Sequence, residues 1–226
     1  MSTIYQPESM ESFFNERLAG YEAHMKESYI YDAAKAHLAD QFDSSQDPIT
    51  ILDLGCGTGL EIEYILKKTP NAQFICIDLN GSMIDLLKIK YQKVLNQIET
   101  IKASYFDYDM GTNRFDYVVA SMTMHHWLYA PKVSFYHRIF DALKPGGKFV
   151  NDDYLVHEDK EAEILANYLQ LKASGVIKEG EFYHIDIPFS INTERRVFAE
   201  AGFLNVKVVY EYYSEKGNGS LLVGYK

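Results

Sequence analysis

Cysteine is almost missing from this chain: Cys56 and Cys76 are the two among 226 residues. They are too few and wrongly spaced for a zinc site or an iron–sulfur cluster. Both stand in or beside apolar runs, so the expectation is free, buried thiols, as in a reducing cytoplasm. Positive charge is also short. Lys and Arg total 22 against 32 Asp and Glu, a net charge of -10. An acidic surface repels phosphate backbones, and Lys67-Lys68 and Arg195-Arg196 are isolated pairs rather than a patch. DNA and other long nucleic acids are therefore poor partners. No apolar run reaches the length of a membrane span. The N-terminus is polar and acidic, unlike a signal peptide. The protein is expected in the cytoplasm, away from membranes. No internal repeat, low-complexity tract or composition break marks a second domain.

What is present is a core. Hydrophobic residues make up 47% of the chain, enough for one α/β domain. The 18 tyrosines and 13 phenylalanines allow an aromatic-lined pocket as well as a packed interior. The organising stretch is residues 49–61, ITILDLGCGTGLE. Its β-branched opening reads as a buried strand ending at Asp53. A turn with Gly55, Cys56, Gly57 and Gly59 follows, and a helix is predicted from about Thr58. Glycine lets the backbone turn sharply and approach a ligand that any Cβ would displace. The dinucleotide fingerprint would need a third glycine at position 60, which is Leu60. No Lys-Ser or Lys-Thr follows the turn, which excludes a P-loop.

A second strand is predicted over 73–77, ending at Asp78 and followed by Leu79 and Asn80. A carboxylate roughly 20 residues beyond such a turn is placed to accept from ribose hydroxyls. Asp78 could instead cap a helix over 82–93, though Asn80 or Ser82 could do that job. Asn80 and Met83 flank the same point. A third strand, 98–103, leads into Ser104, Tyr105 and Phe106. A fourth, within 114–121, leads through Ser121 to His125, His126 and Trp127. A histidine there could take a substrate proton or simply cap or pack. Adjacent histidines in an extended segment point apart, so no metal is expected. Pro131 opens a helix to about 143. The turn at 143–147 leads to a fifth strand, 148–152. Asp152 and Asp153 end it, as acid, base or substrate-orienting groups, or as a solvated strand end.

The glycine turn with its leading acid, Asp78 after the next strand, the Phe-Asp-hydrophobic opening of the fourth strand and the Leu-Lys-Pro-Gly-Gly turn occur in order. Together they resemble class I S-adenosylmethionine-dependent methyltransferases over residues 49–225. The resemblance implies an α/β, three-layer Rossmann-like sandwich with a seven-stranded, mostly parallel sheet and an antiparallel last strand. It implies S-adenosylmethionine as cofactor, S-adenosylhomocysteine as product, and an in-line methyl transfer. The implied cofactor residues are Asp53, Gly55, Cys56, Gly57, Gly59, Asp78, Leu79, Met83, Ser104, Tyr105 and Ser121. The family often has an acid after the third strand for the adenine amino group. Ser104 stands there instead, with Asp107 three residues on. Other readings are a non-catalytic S-adenosylmethionine-binding module, an NAD-dependent oxidoreductase, or different chemistry on the sulfonium, which would need an added charged anchor. His125, His126 and Asp152 are the candidate catalytic residues.

One domain over 1–226 is expected. It comprises a helical cap (1–45), a cofactor-binding core (46–156), an inserted helix and loop (157–190), and a last helix with a hairpin (191–226). Residues 1–10 read as loose. From 11 to 42 the spacing of Phe14, Leu18, Tyr21, Met25 and Tyr29 is helical, with a break possible at Gly20. The cap and the 176–188 loop are expected to close over a small-molecule acceptor, with Tyr21, Tyr183 and His184 as candidate contacts.

Overall fold

The computed structural model describes residues 6–27, 31–214 and 217–226. Tyr29, the first half of the N-terminal segment read as loose, and residues 215–216 of the segment expected to form the hairpin lie outside them. Seven strands form one sheet in the order β3-β2-β1-β4-β5-β7-β6. Strands β1 (Thr50–Leu54), β2 (Gln73–Asp78), β3 (Ile98–Lys102), β4 (Phe115–Ser121) and β5 (Leu143–Tyr154) run parallel. β7 (Gly217–Tyr225) is antiparallel both to β5 and to the edge strand β6 (Asn205–Ser214).

The near-continuous apolar strands are buried on both faces, as a covered parallel sheet requires. Successive side chains alternate faces. Leu52, Leu54, Val118 and Ala120 enter one core, with Phe135, Tyr136 and Ile139 of α6 (Tyr129–Ala142) and Val197 and Phe198 of α8 (Ile191–Glu200). Ile51, Tyr117 and Val119 enter the other, with Leu38 of α3 (Tyr31–Ala39), Ile62 and Ile65 of α4 (Ile62–Lys68) and Leu87 of α5 (Gly81–Lys90). Helices thus cover both faces, giving three layers.

Several boundaries differ from expectation. The helix after the glycine turn starts at Ile62 rather than near Thr58, because Gly59 has φ +69°, outside helical space. The turn at 143–147 is taken into β5. Phe115 pairs with Leu143 and Tyr117 with Lys148, so residues 144–147 bulge out of the ladder. The N-terminal stripe is split into α1 (Met10–Arg17), a 3₁₀ turn (Leu18–Gly20), α2 (Tyr21–Glu27) and α3. Among the described residues, no helix is long and apolar enough to cross a membrane.

Neighbours of β1 lie on opposite sides, β2 and β4, so the chain reverses direction across the sheet there. Open α/β sheets bind ligands at the carboxyl ends of such strands. The same edge receives two further pieces. α1 leans on the 182–184 loop, where Met10 N–H donates to Phe182 O (2.9 Å) and His184 N–H to Glu8 O (2.9 Å). The Phe13 and His184 rings stack across this seam. α7 (Glu158–Ala173) is tied to the start of α8, since Glu161 accepts from Ser190 N–H and from Thr193 Oγ1.

Candidate functional site

The glycine turn is pinned to the end of β2. Gly55 and Cys56 N–H both donate to Ile77 O, and Gly57 N–H donates to Asp78 Oδ2 at 2.8 Å. The three glycines are needed for different reasons. A Cβ on Gly55 would strike Thr123, and one on Gly59 would strike Ile62 and Tyr91. A Cβ on Gly57 would meet nothing nearer than Tyr21 Oη at 3.9 Å, and φ there is +50°. Gly57 therefore presents bare backbone to an open space.

Asp78 holds the other side of that space. Its Oδ1 accepts from Asn80 N–H at 2.7 Å. Burial pushes its carboxyl above the usual value, while the N–H groups of Asn80, Gly57 and Leu79 pull against that shift. Capping of α5 falls to Asn80, whose Oδ1 accepts from Ser82 and Met83 N–H. The carboxylate keeps accepting capacity for a ligand.

Gly55, Gly57, Asp78, Leu79, Met83, Ser104, Tyr105 and Ser121 line one cavity, together with Tyr21 and His126. One wall is aromatic: Trp127 Nε1 donates to Tyr105 Oη at 2.8 Å and its ring stacks on Phe106 at 4.0 Å. Phe14 of α1 and Phe182 of the loop close the outside.

Three expected cofactor residues stand behind this cavity rather than on its wall. Gly59 packs on α5. Cys56 is buried, and a hydrogen bond to Cys76, then burial, push its thiol far up; both cysteines are free and buried. Asp53 is buried beside Glu61; burial first, then that carboxylate, raise its own well above the usual range.

A second cavity adjoins the first. Phe14, Tyr21, Met122 and His126 line both, and the second adds Arg17, His125, Tyr154, His184 and Asp186. Met122, at the junction, has φ +55°, a strained value for a residue with a side chain. Its N–H donates to Asp152 O at 2.7 Å.

The two carboxylates ending β5 have opposite surroundings. Asp152, the candidate acid or base, lines neither cavity. It is buried against Lys35 (2.8 Å) and Ser121 (3.2 Å). Asp153 takes the place nearer the chemistry, with Oδ1 2.5 Å from His125 Nδ1. The expectation that His125 and His126 point apart does not hold. They lie in a 3₁₀ turn, not a strand, and their rings are 4.0 Å apart. Burial, then His125, hold the His126 imidazole well below its ordinary value; burial also lowers His184. Tyr183 faces neither cavity. Its hydroxyl donates to Glu181, and its backbone bridges to Ser9.

Phe14 and Phe182 belong to the two aromatic segments expected to cover the site, whereas Met122, Trp127 and Asp186 line the cavities without having been expected there. Trp127 carried a signal, as the chain's single tryptophan two residues beyond His125. Asp186 carried none, since it lies in a loop without periodicity.

A profile described as a methyltransferase domain matches residues 51–147. That span holds the turn, Asp78, the 104–106 segment, β4 and the 3₁₀ turn. The matched span and the fold are those of class I S-adenosylmethionine-dependent methyltransferases. A carboxy-S-adenosyl-L-methionine synthase of Nautilia profundicola is 26% identical over 180 residues, covering 76% of this chain and 75% of that protein. Malonyl-[acyl-carrier protein] O-methyltransferase 2 of Ilyobacter polytropus is 29% identical over 159 residues. That alignment covers 63% of this chain and 59% of the Ilyobacter protein, under two thirds of its length. The Burkholderia thailandensis 1,6-didemethyltoxoflavin-N1-methyltransferase, solved with its substrate and S-adenosylhomocysteine, shares the fold. Its TM-score is 0.64 at 16% identity, over 96% of this chain and 87% of that one. The chain is an enzyme with S-adenosylmethionine as its cofactor. The Gly57 cradle and the Asp78 carboxylate fit that ligand's need for close backbone approach and a ribose acceptor.

Proposed function

We propose that this enzyme transfers a methyl group from S-adenosylmethionine to a small-molecule acceptor held in the second cavity. The observation that carries the reading is the shared wall of Phe14, Tyr21, Met122 and His126, which makes two ligand spaces neighbours under one lid. Bound in the first cavity, S-adenosylmethionine supplies an activated methyl group. Asp78 accepts from the ribose hydroxyls, and Gly57 lets the backbone approach. Ser104 and Tyr105, beside the Trp127 ring, hold the adenine. Leu79 and Met83 supply apolar wall.

On the other side, Tyr21, His184 and the turn at His125–His126 face the acceptor. The acceptor's nucleophilic atom bonds to the methyl carbon as the sulfur–carbon bond breaks. Sulfur keeps the electron pair, S-adenosylhomocysteine leaves, and the acceptor's proton passes toward the histidines. The chain's main work is to hold donor and acceptor in line and keep water out. α1 and the 176–188 loop, joined at Met10 and His184, suit that second task. The open second cavity argues against a non-catalytic binding module.

The Nautilia relative's name raises carboxylation of the sulfonium as a second reading. That product carries an extra carboxylate and calls for a cation beside it. Arg17 lines the second cavity, but Glu8 holds it through both guanidinium nitrogens (3.0 and 2.9 Å). Methyl transfer is favoured for that reason. Mass analysis of the spent reaction distinguishes the two. S-adenosylhomocysteine with a methylated small molecule is expected; a carboxylated donor without S-adenosylhomocysteine would reassign the chemistry.

A further inference from the structure

We propose that His125, His126 and Asp186 form a binding site for one divalent transition-metal ion, on the acceptor side of the donor cavity. One ligand atom from each lies within 4.8 Å of the others. Asp186 Oδ1 is 3.6 Å from His125 Nε2 and 3.4 Å from His126 Nδ1, and His184 Nε2 stands 3.9 Å from the same oxygen. These gaps are long for hydrogen bonds. The gaps from Asp186 to His125 and His126 are close to the edge of a tetrahedron with metal bonds of about 2.0–2.1 Å, roughly 3.3 Å; the widest spacing within the trio, up to 4.8 Å, would have to close on an ion. The groups are gathered around a common point without being bonded to one another.

Two features fix this arrangement. Asp153 holds His125 Nδ1, which leaves Nε2 aimed at the cavity. A carboxylate behind a ligating histidine sets its tautomer and orientation in metal sites. Across the gap, Ile187 N–H donates to His125 O at 2.7 Å, so the backbone holds Asp186 opposite the turn. His126 Nδ1 also meets Ile185 O at 3.1 Å, a contact that a bound ion would replace. Two imidazoles and a carboxylate suit zinc and its first-row neighbours rather than magnesium or calcium. Three protein ligands leave one position open, as in catalytic rather than structural sites.

The metal's role rests on the methyl-transfer reading; its binding does not. At the open position, an acceptor hydroxyl or thiol would bind through oxygen or sulfur and lose its proton more readily. That defines the acceptor class as a small molecule with a metal-binding hydroxyl or thiol.

The test uses the full chain without a histidine tag, stripped with chelator and titrated with Zn²⁺, then Co²⁺. Uptake of one equivalent is expected, with the visible absorption of low-symmetry, four-coordinate Co²⁺. Asp186 is half exposed, so Asp186→Ala should fold; uptake of the equivalent should be lost. Asp153→Asn should weaken binding by about 10- to 100-fold, as loss of a carboxylate behind a ligating histidine does. No stoichiometric uptake by the parent, or unchanged uptake by Asp186→Ala, would overturn the site. Calorimetry with S-adenosylmethionine on the metal-free chain reads the donor site separately. Donor binding without metal uptake sinks only the metal site, and metal uptake without donor binding sinks only the transfer reading.

Discussion

Gly57→Val is expected to lower affinity for S-adenosylmethionine by about 100-fold or more, roughly 2.7 kcal/mol. The proposed donor site uses the open space beside Gly57, and a branched side chain would fill it. The backbone also has φ +50° there, which costs a β-branched residue about 1–3 kcal/mol of stability. Folding and binding effects must therefore be separated. Thermal unfolding should show a moderate loss, and calorimetry at low temperature should show donor binding gone from folded protein. Asp78→Ala makes a graded comparison. It removes an acceptor without adding bulk and should cost about 1.5–3 kcal/mol of donor binding. Gly59→Val should instead fail in folding, because its side chain would enter the Ile62–Tyr91 contact. Undiminished binding by folded Gly57→Val would remove the ligand from this turn.

Lys35→Ala is expected to destabilise the fold strongly, by about 3–5 kcal/mol. Lys35 is buried, pairs with Asp152 at 2.8 Å and bonds to Ser121 Oγ. Burial alone would lower its pKa. Asp152, Glu61 and Asp53 more than offset that, so it stays cationic and is raised overall. Removing it strands the Asp152 carboxylate in the interior. The pair joins α3 to the ends of β4 and β5, so its loss should loosen the cap on the sheet edge. Replacing both partners, as Lys35→Met with Asp152→Leu, should recover most of the stability, since no unpaired charge remains. The pH sign follows from the raised lysine. Its contribution is full below the unfolded lysine pKa and fades as pH climbs through the folded value, above 10.5. Urea unfolding measures all of this. A loss under about 1 kcal/mol for Lys35→Ala would show that the pair contributes little net stability.

Most of the first cavity's wall was legible because its signals are local. A β-branched run, glycines at alternate positions and an acid after the next strand constrain backbone shape within a short span. The two-faced burial of β1 and β4 follows from their largely apolar runs. The acceptor side was not legible for equally physical reasons. Asp152 and Asp153 are neighbours on a strand and face opposite sides, and the sequence does not say which side holds the ligand. Only the packed sheet gives Asp153 to His125 and Asp152 to Lys35. The histidines were read with strand geometry, and a 3₁₀ turn brought their rings together. Asp186 reaches them from a loop some sixty residues on, placed by one backbone hydrogen bond to His125 O. Met122 has a left-handed backbone that no residue-type preference would predict.

The account stands or falls on where the methyl group goes. The direct measurement incubates the purified chain with methyl-labelled S-adenosylmethionine and a cell extract, then separates small molecules, RNA and protein. Label should collect in the small-molecule fraction, in step with release of S-adenosylhomocysteine. It should vanish with Gly57→Val. Label chiefly in RNA or in a protein band, or donor left intact in every fraction, would contradict it.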